Sequence, residues 1–400
     1  MKVLVADKFE ESGLAGLAAL GCEVVFEPKL EGAALGARLA ETGAEVLVVR
    51  GTKVEAAEIE AATGLALIVR AGAGVNTIDI QAASARAIAV SNCPGKNAIA
   101  VAELTWGLIL ALDRRIVEQA NDLKGGIWNK ALYGKARGLA GRTLGVIGLG
   151  AIGLEVLTRA KAFGMPVVAW SRSLDDDRAS RLGIARADSV HALAAASDVL
   201  TVHCALTKET AGMLDARFFE AMKPGAFFVN TSRGEVVDAA ALRKAILERG
   251  IRAGLDVFEK EPAGGSGTFE DDIVKSPGVI GTHHVGASTD QAQNAIAAET
   301  VRIVAAFVSS GEVPNAVNLA SRTPATHVLS VRHRDRIGVL AHVFGVLRAA
   351  GINVEKTENV VFAGAEAACA RIQIDSPPEA GVLDEIRGCA DVLSVSVRAV

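Results

Sequence analysis

The sequence lacks a cysteine framework. Cys22, Cys93, Cys204, Cys369 and Cys389 are odd in number, widely spaced and never in a C-x-x-C pair, a pattern that argues against both disulfide scaffolds and zinc knuckles and fits a reducing compartment. No metal site is expected. A membrane-spanning run is missing too: the longest apolar stretch, residues 98–112, contains Glu103 and falls short of the roughly 20 residues a bilayer requires. The first residues pass from Met1-Lys2 into Val3-Leu4-Val5-Ala6-Asp7, too short and too quickly charged for a signal-peptide apolar region, so a cytoplasmic location and no membrane contact are expected. Nor does one sign of charge prevail. The 42 Lys and Arg face 46 Asp and Glu, which leaves no strong field to gather nucleic acid or an anionic surface. The expected partners are small molecules and further copies of the chain, as a homodimer or homotetramer. Repeats and low-complexity tracts are also absent.

What is present is bulk and alternation. The chain has 400 residues, half of them hydrophobic, more than one hydrophobic core usually holds, so two or three domains are expected. Short β-rich runs alternate with Ala- and Leu-rich helical patterns along residues 1–310, the signature of parallel sheets with helices on both faces. Predicted strands cover 3–6, 23–26, 46–49, 66–69, 143–148, 167–170, 199–203, 226–230, 253–257 and 278–281. Two long helical patterns, 97–124 and 291–308, read as a spine between two α/β units and a return to the first. The domains predicted are therefore a discontinuous one (1–96 with 285–318), a second (97–284), and a third (326–400) whose βαββαβ order describes a ferredoxin-like unit.

In open α/β sheets ligands bind beyond the carboxyl ends of the strands, which narrows the search to a few loops. Gly148-Leu149-Gly150-Ala151-Ile152-Gly153 follows a predicted buried strand and opens a helix that ends at Gly164. In that context G-x-G-x-x-G reads as a dinucleotide loop: Gly148 for the tight turn, Gly150 for close approach to pyrophosphate, Gly153 for helix packing. The next strand should end in a carboxylate for the adenosine ribose, yet Ser171, Arg172 and Ser173 stand there. Two hydroxyls and a guanidinium suit a 2′-phosphate, which favours NADP; the alternative is that Arg172 faces solvent and NAD binds through the rest of the site.

Further strand ends carry Val202-His203-Cys204, the segment from Asn230 to Gly234, that from Asp256 to Pro262, and that from Thr282 to Thr289. Hydride transfer to or from a bound dinucleotide is served by a cation that holds a substrate carboxylate, an acid-base group near neutrality and a carboxylate to orient that group. Arg233, His284 and Glu261 supply that set. Arg50 and Arg70 end two early strands, and paired guanidiniums are suited to a phosphate.

With these residues the chain resembles the D-isomer-specific 2-hydroxyacid dehydrogenases over essentially its whole length, most closely the branch that acts on 3-phosphoglycerate. The resemblance implies a flavodoxin-like substrate domain and a Rossmann dinucleotide domain. It implies that Arg233 binds carboxylate and carbonyl, that His284 is the acid-base group and that Glu261 supports it. His283 stands where the family commonly has proline, so the choice between the two imidazoles rests on counting back from Gly286-Ala287-Ser288-Thr289, which favours His284. Asp256 would meet the nicotinamide carboxamide, while Ala151, Ile152, Cys204, Thr231, Ser232 and Ala287 would line the cofactor. Arg70, Ala71 and Gly72 lie in an R-A-G-x-G-V-N run similar to the segment that holds substrate, with Lys53, Asn76 and Asn97 as weaker candidates. The implied reaction is NAD-dependent oxidation of 3-phosphoglycerate to 3-phosphohydroxypyruvate, which opens L-serine biosynthesis. An NADPH-linked glyoxylate or hydroxypyruvate reductase is the alternative.

The third domain resembles an ACT module, with Arg334-Asp335-Arg336-Ile337-Gly338-Val339-Leu340 at its first strand-to-helix turn. That resemblance implies an amino-acid effector such as L-serine held by His333, Asp335 and Asn353, or else a surface used only for dimerisation. Because fold alone does not give function, a dinucleotide-sensing corepressor is a further alternative; the paired arginines and the ACT-like tail favour an enzyme.

Overall fold

A computed structural model describes residues 1–262, 266–320 and 322–400. They form two compact units, Met1–Asn318 and Leu319–Val400.

The first unit opens with β1 (Lys2–Val5), α1 (Glu11–Ala19), β2 (Glu23–Phe26), α2 (Gly32–Thr42), β3 (Val46–Val49), α3 (Ala56–Ala61), β4 (Leu67–Arg70), α4 (Ile80–Ala85) and β5 (Ala89–Asn92). The five strands are parallel, in the order β2-β1-β3-β4-β5, which is the flavodoxin-like order. Alternation along each strand sends side chains to opposite faces. Leu4, Leu47, Val49 and Ile68 pack against Leu35, Leu39 and Ile59 of α2 and α3, while Val3, Val5, Val46, Val48 and Val69 pack against Leu17 of α1. Both faces being covered, β3 is apolar and buried throughout.

The chain then runs through α5 (Ala98–Arg114), α6 (Ile116–Lys124) and α7 (Lys130–Tyr133). The spine expected as one pattern over 97–124 is broken at Arg115, whose backbone is left-handed (φ 52°). Hydrophobic periodicity alone could not show the break, because the apolar pattern continues through it. Next come β6 (Leu144–Ile147), α8 (Ala151–Ala162), β7 (Val167–Trp170), α9 (Asp176–Leu182), β8 (Ala185–Arg186), α10 (Val190–Ala196), β9 (Val199–Val202), α11 (Ala216–Ala221), β10 (Phe227–Asn230), α12 (Ala239–Arg249), β11 (Arg252–Leu255) and β12 (Val279–Gly281). All are parallel, in the order β12-β11-β10-β9-β6-β7-β8, the doubly wound arrangement of a dinucleotide fold. Strand order reverses between β6 and β9, so the glycine loop after β6 and His203-Cys204 after β9 flank the crevice. β5 and β8 were not expected: Ala89-Val90-Ser91-Asn92 has little β-branched character, and β8 has two residues.

α13 (Asp290–Ser310) packs Ile296, Ile303 and Val304 into the same cluster as Leu17 and Val3, so the chain returns to the first sheet. Thr289 caps it, its Oγ1 accepting from the Ala292 amide.

The second unit consists of β13 (His327–Arg334), α14 (Val339–Ala349), β14 (Val354–Val361), β15 (Ala367–Ile374), α15 (Ala380–Arg387) and β16 (Val392–Ala399). Its sheet is antiparallel, in the order β14-β15-β13-β16, as a ferredoxin-like unit requires. Leu329, Val331, Ala370 and Ile372 pack with Val343, Leu347 and Ile386 from the two helices.

Among the described residues no helix is long and apolar enough to cross a membrane.

Candidate active site

The chemistry-bearing side chains sit where the chain leaves β3, β4, β6, β10, β11 and β12. After β10, Asn230 is 1% exposed and organises the turn: its Oδ1 accepts from the Ser232 amide and hydroxyl, and its Nδ2 donates to the Arg233 carbonyl. Thr231 Oγ1 lies 3.0 Å from Thr105 Oγ1 on α5. Arg233, so placed, donates to the Ser232 carbonyl and reaches Asn76 Oδ1 at 3.4 Å. Asn76 lies beyond β4, so this contact joins loops of the two sheets. Gly234 permits the next close approach, since a Cβ there would stand 2.1 Å from the Phe258 carbonyl carbon. The Arg233 loop is thereby pressed against the loop that bears Glu261.

His284 Nδ1 lies 2.7 Å from Glu261 Oε2, and Glu261 Oε1 accepts from the Phe258 amide at 2.9 Å. Burial pushes the Glu261 carboxyl up, but the His284 hydrogen bond, the Phe258 amide and the charges of His284 and Arg233 outweigh it and hold it below the ordinary range. The carboxylate therefore stays ionised at neutral pH. His284 has a left-handed backbone (φ 53°), an arrangement costly for a non-glycine residue and kept only where the surroundings enforce it. The enforcing residue is Asp256, 1% exposed. Its carbonyl accepts from the His284 amide, and its carboxylate accepts from the Val285 and Gly286 amides and the Thr282 hydroxyl. Sequence reading expected Asp256 beside the cofactor; its carboxylate also bolts down the histidine loop, a task visible only in the fold. His283 is exposed, as His284 is, but has no ring hydrogen bond among the described residues.

Arg50 follows β3 at the switch point of the first sheet. Asp7, just beyond β1, accepts through Oδ2 from the amides of Arg50, Gly51 and Thr52, which shapes the loop and uses that oxygen on backbone. Arg70 ends β4, with its Nε buried and unpartnered among the described residues. Burial first, then repulsion from Arg233 and Arg50, pushes its guanidinium down to about 10, still charged at neutral pH. A Cβ at Gly72 would fall 1.7 Å from Arg70 Nη1, so any larger residue there would displace the end of the arginine. Ala71 is buried beside it, and Asn97 at the head of α5 has a buried Oδ1 with no partner. Arg70 is thus close enough to Arg233 and Arg50 to be repelled by both.

On the cofactor side, Gly148 adopts φ 91° and packs against the end of β9. Gly153 lies so near that a Cβ would stand 2.1 Å from the Gly148 carbonyl oxygen, whereas a Cβ at Gly150 would meet nothing within 4 Å. The open space at Gly150 adjoins the N-terminus of α8, where Ala151 and Ile152 begin the helix, a cradle that fits an anion such as a dinucleotide pyrophosphate. Ser171 is partly buried and Arg172 exposed at the end of β7. Arg178 on α9 was missed by sequence reading: its Nη2 donates to the Leu149 carbonyl and its Nη1 to Ser173 Oγ, both at 3.0 Å. No local motif marks it. Cys204 lies near this crevice with its thiol pushed up to about 11 by burial, so it is protonated at neutral pH. Ala287 directs its carbonyl to Gln293 Nε2.

The residues expected to form a regulatory site are not joined to one another. His333 alternates with Leu329 and Val331 toward the core, is 1% exposed, and engages Arg334 O and Asn359 Oδ1 with its two ring nitrogens. Both ring nitrogens of His333 are thus engaged within the unit in this arrangement. Asp335 is exposed, and Asn353 Nδ2 donates to Glu355. Among the described residues no group of three or more His, Cys, Asp or Glu could hold a metal.

Residues 106–286 match the family model described as "D-isomer specific 2-hydroxyacid dehydrogenase, NAD binding domain". The chain is 39% identical over 324 residues to a D-3-phosphoglycerate dehydrogenase of Methanocaldococcus jannaschii, covering 80% of this chain and 60% of that protein. It is 38% identical over 226 residues to a glyoxylate reductase of Thermococcus litoralis, covering 55% of this chain and 66% of that one. The chain thus spans about two thirds or less of the length of these curated relatives. Among solved structures, the NAD⁺-bound 3-phosphoglycerate dehydrogenase of Entamoeba histolytica superposes with a TM-score of 0.67 at 26% identity, over 80% of this chain and 99% of that one.

Proposed function

We propose that the chain, whose residues 106–286 match the NAD-binding domain of the D-isomer-specific 2-hydroxyacid dehydrogenases, is a member of that family that oxidises 3-phosphoglycerate to 3-phosphohydroxypyruvate with NAD, the reaction that opens L-serine synthesis. The observation that carries this reading is the convergence of Arg50, Arg70 and Arg233, with the Arg70 guanidinium buried against its own repulsion. Like charges held together out of water are unfavourable, and a substrate with a phosphate at one end and a carboxylate at the other offsets that cost.

In this reading the lobe formed by 1–96 and 285–318 holds substrate, and 97–284 holds the dinucleotide. Arg50 and Arg70, with Gly72 and Asn97 beside them, hold the phosphate, and Arg233 holds the carboxylate. His284 directs Nδ1–H at Glu261, which leaves Nε2 as the base that takes the proton from the 2-hydroxyl. Glu261, ionised, balances the imidazolium that results. Asp256 fixes the loop and so the aim of the ring. Gly148, Gly150 and Gly153 would receive the pyrophosphate, with Ser171 and Arg172 at the ribose and Cys204, Thr231, Ser232 and Ala287 along the wall. When bound, the nicotinamide supplies the hydride acceptor.

The test is kcat/KM for 3-phosphoglycerate and for D-glycerate, in the wild type and in Arg70→Ala. Phosphate recognition predicts a strong preference for 3-phosphoglycerate that falls by at least about tenfold in the variant; equal use of both substrates by the wild type would overturn it.

A second reading, an NADPH-linked glyoxylate or hydroxypyruvate reductase, is favoured by Ser171 standing in place of a carboxylate with Arg172 and Arg178 close by. Higher kcat/KM for glyoxylate with NADPH than for 3-phosphoglycerate with NAD would select it. The second unit is read as an ACT module that pairs chains into a dimer or tetramer, and L-serine is the effector to assay.

A further inference from the structure

β5 is an edge strand of the first sheet, and the chain returns after α13 to cover it. Val317 donates its amide to the Val90 carbonyl at 2.8 Å, while Asn318 Oδ1 accepts from the Val90 amide and its Nδ2 donates to the Ile88 carbonyl. Ala316 bridges Ser91 in the antiparallel sense, and the buried Ser91 hydroxyl donates to the Pro314 carbonyl. Residues 314–318 thus form a strap along β5. Covering an open edge prevents unwanted pairing, and contacts to the backbone of the strand suffice for that.

At Asn315 the strap does something further. The backbone there is left-handed (φ 57°), a conformation that asparagine tolerates better than most residues, and the carboxamide is fully engaged. Its Nδ2 donates to the Asn92 carbonyl at 3.2 Å and to Glu299 Oε1 at 2.8 Å. Glu299, itself buried, also takes Lys96 from the segment that leads into α5. Asn92 ends β5 beside Arg70, its register partner at the end of β4. The Nδ2 of Asn92 donates to the Ala73 carbonyl at 2.6 Å, and the Cys93 amide donates to the Gly72 carbonyl at 2.9 Å. The loop that follows Arg70 is therefore held from the β5 side by two hydrogen bonds, and the residue that makes the first of them is itself held by Asn315.

We propose that Asn92 and Asn315 are positioning residues for substrate recognition, a relay of two carboxamides through which the strap fixes the 70–76 loop and with it the reach of Arg70. The inference rests on the reading that this loop holds substrate. Neither carboxamide bonds to His284, Glu261 or the glycine loop among the described residues, so the relay acts on substrate binding and not on proton transfer or on the dinucleotide. Its effect is that of a single hydrogen bond that orders a loop.

The variants are Asn92→Ala and Asn315→Gly, the second chosen because glycine keeps the left-handed backbone and removes only the carboxamide. Steady-state kinetics on the full chain, with whichever 2-hydroxy or 2-oxo acid the wild type uses best, should show KM raised at least about threefold in each, with kcat within about twofold and the NADH dissociation constant unchanged. The double variant should be no worse than Asn92→Ala, since both act along one path. Hydrogen–deuterium exchange over residues 70–76 should quicken in both variants, and that over 148–153 should not. Asn318→Ala, which loosens the strap away from the loop, should lower Tm and leave KM alone. Unchanged KM in both variants, additive effects in the double variant, or a joint loss of substrate affinity, NADH affinity and Tm that Asn318→Ala reproduces would overturn the proposal. Failure of the phosphate reading shows in the substrate choice of the wild type, whereas failure of the relay shows only in the variants.

Discussion

His284 and Glu261 are 23 residues apart in the chain and joined by a 2.7 Å hydrogen bond between Nδ1 and Oε2. The two loops that carry them follow β11 and β12, and Asp256 secures the second through three amides and a hydroxyl. The pair therefore owes its geometry to a buried residue that grips the backbone of the histidine loop rather than the imidazole itself.

Replacing His284 by Ala should lower kcat by about 10²–10⁴-fold, the usual worth of a positioned acid-base group, with the NADH dissociation constant nearly unchanged. His283→Ala should leave kcat close to wild type, and Glu261→Gln should fall between the two. Steady-state kinetics with a parallel fluorescence titration of NADH checks all three; wild-type turnover in His284→Ala would sink the assignment.

Gly72→Ala places a methyl where Arg70 Nη1 now lies, 1.7 Å from the ideal Cβ. The guanidinium must move, so KM for 3-phosphoglycerate should rise by about tenfold or more, as expected for losing a charge-assisted contact. Dinucleotide affinity should not follow. An unchanged KM would mean that Arg70 does not hold the phosphate.

Ser171→Asp restores a carboxylate at the end of β7. It should move the ratio of kcat/KM for NADPH over NADH toward NADH by at least about tenfold, since a carboxylate accepts from ribose hydroxyls and repels a 2′-phosphate. Rates with both cofactors, measured on the same preparation, decide it. A ratio that does not move would place the adenosine ribose elsewhere.

Glu299 on α13 is 7% exposed and receives Arg302, Asn315 and Lys96. The Arg302 hydrogen bonds first, then those of Asn315 and Lys96, outweigh burial and bring its carboxyl from 4.5 down to about 2. Because the folded value is the lower one, its stabilisation is complete above the unfolded value of 4.5 and is lost as pH falls toward 2. Urea unfolding at pH 7 and pH 3 should show the stability gap between wild type and Glu299→Gln cut by about half or more at pH 3, with further closure as pH falls toward 2. An equal gap at both values would refute the ionic account.

Much of the fold was legible in the sequence because each buried parallel strand is a continuous apolar run that ends at a polar or glycine residue. The strand at 46–49 and the glycine loop after β6 were read in place for that reason. β5, with Ala, Ser and Asn in its four positions, gave no such signal, and its pairing with β4 comes from the sheet. Arg115 gave none either, since a left-handed residue inside an apolar helical pattern leaves the periodicity intact.

By itself the sequence determined the doubly wound architecture, the glycine loop, and the candidates Arg233, Glu261 and His284, because periodicity and strand-end chemistry are local properties. Tertiary structure decided what those candidates do to one another. It paired Glu261 with His284 rather than His283, turned Asp256 into the anchor of that loop, spent both nitrogens of His333 inside the second unit, and brought Arg178 to the Leu149 carbonyl. Each of these depends on distances between residues far apart in the chain, which packing sets and no local pattern encodes.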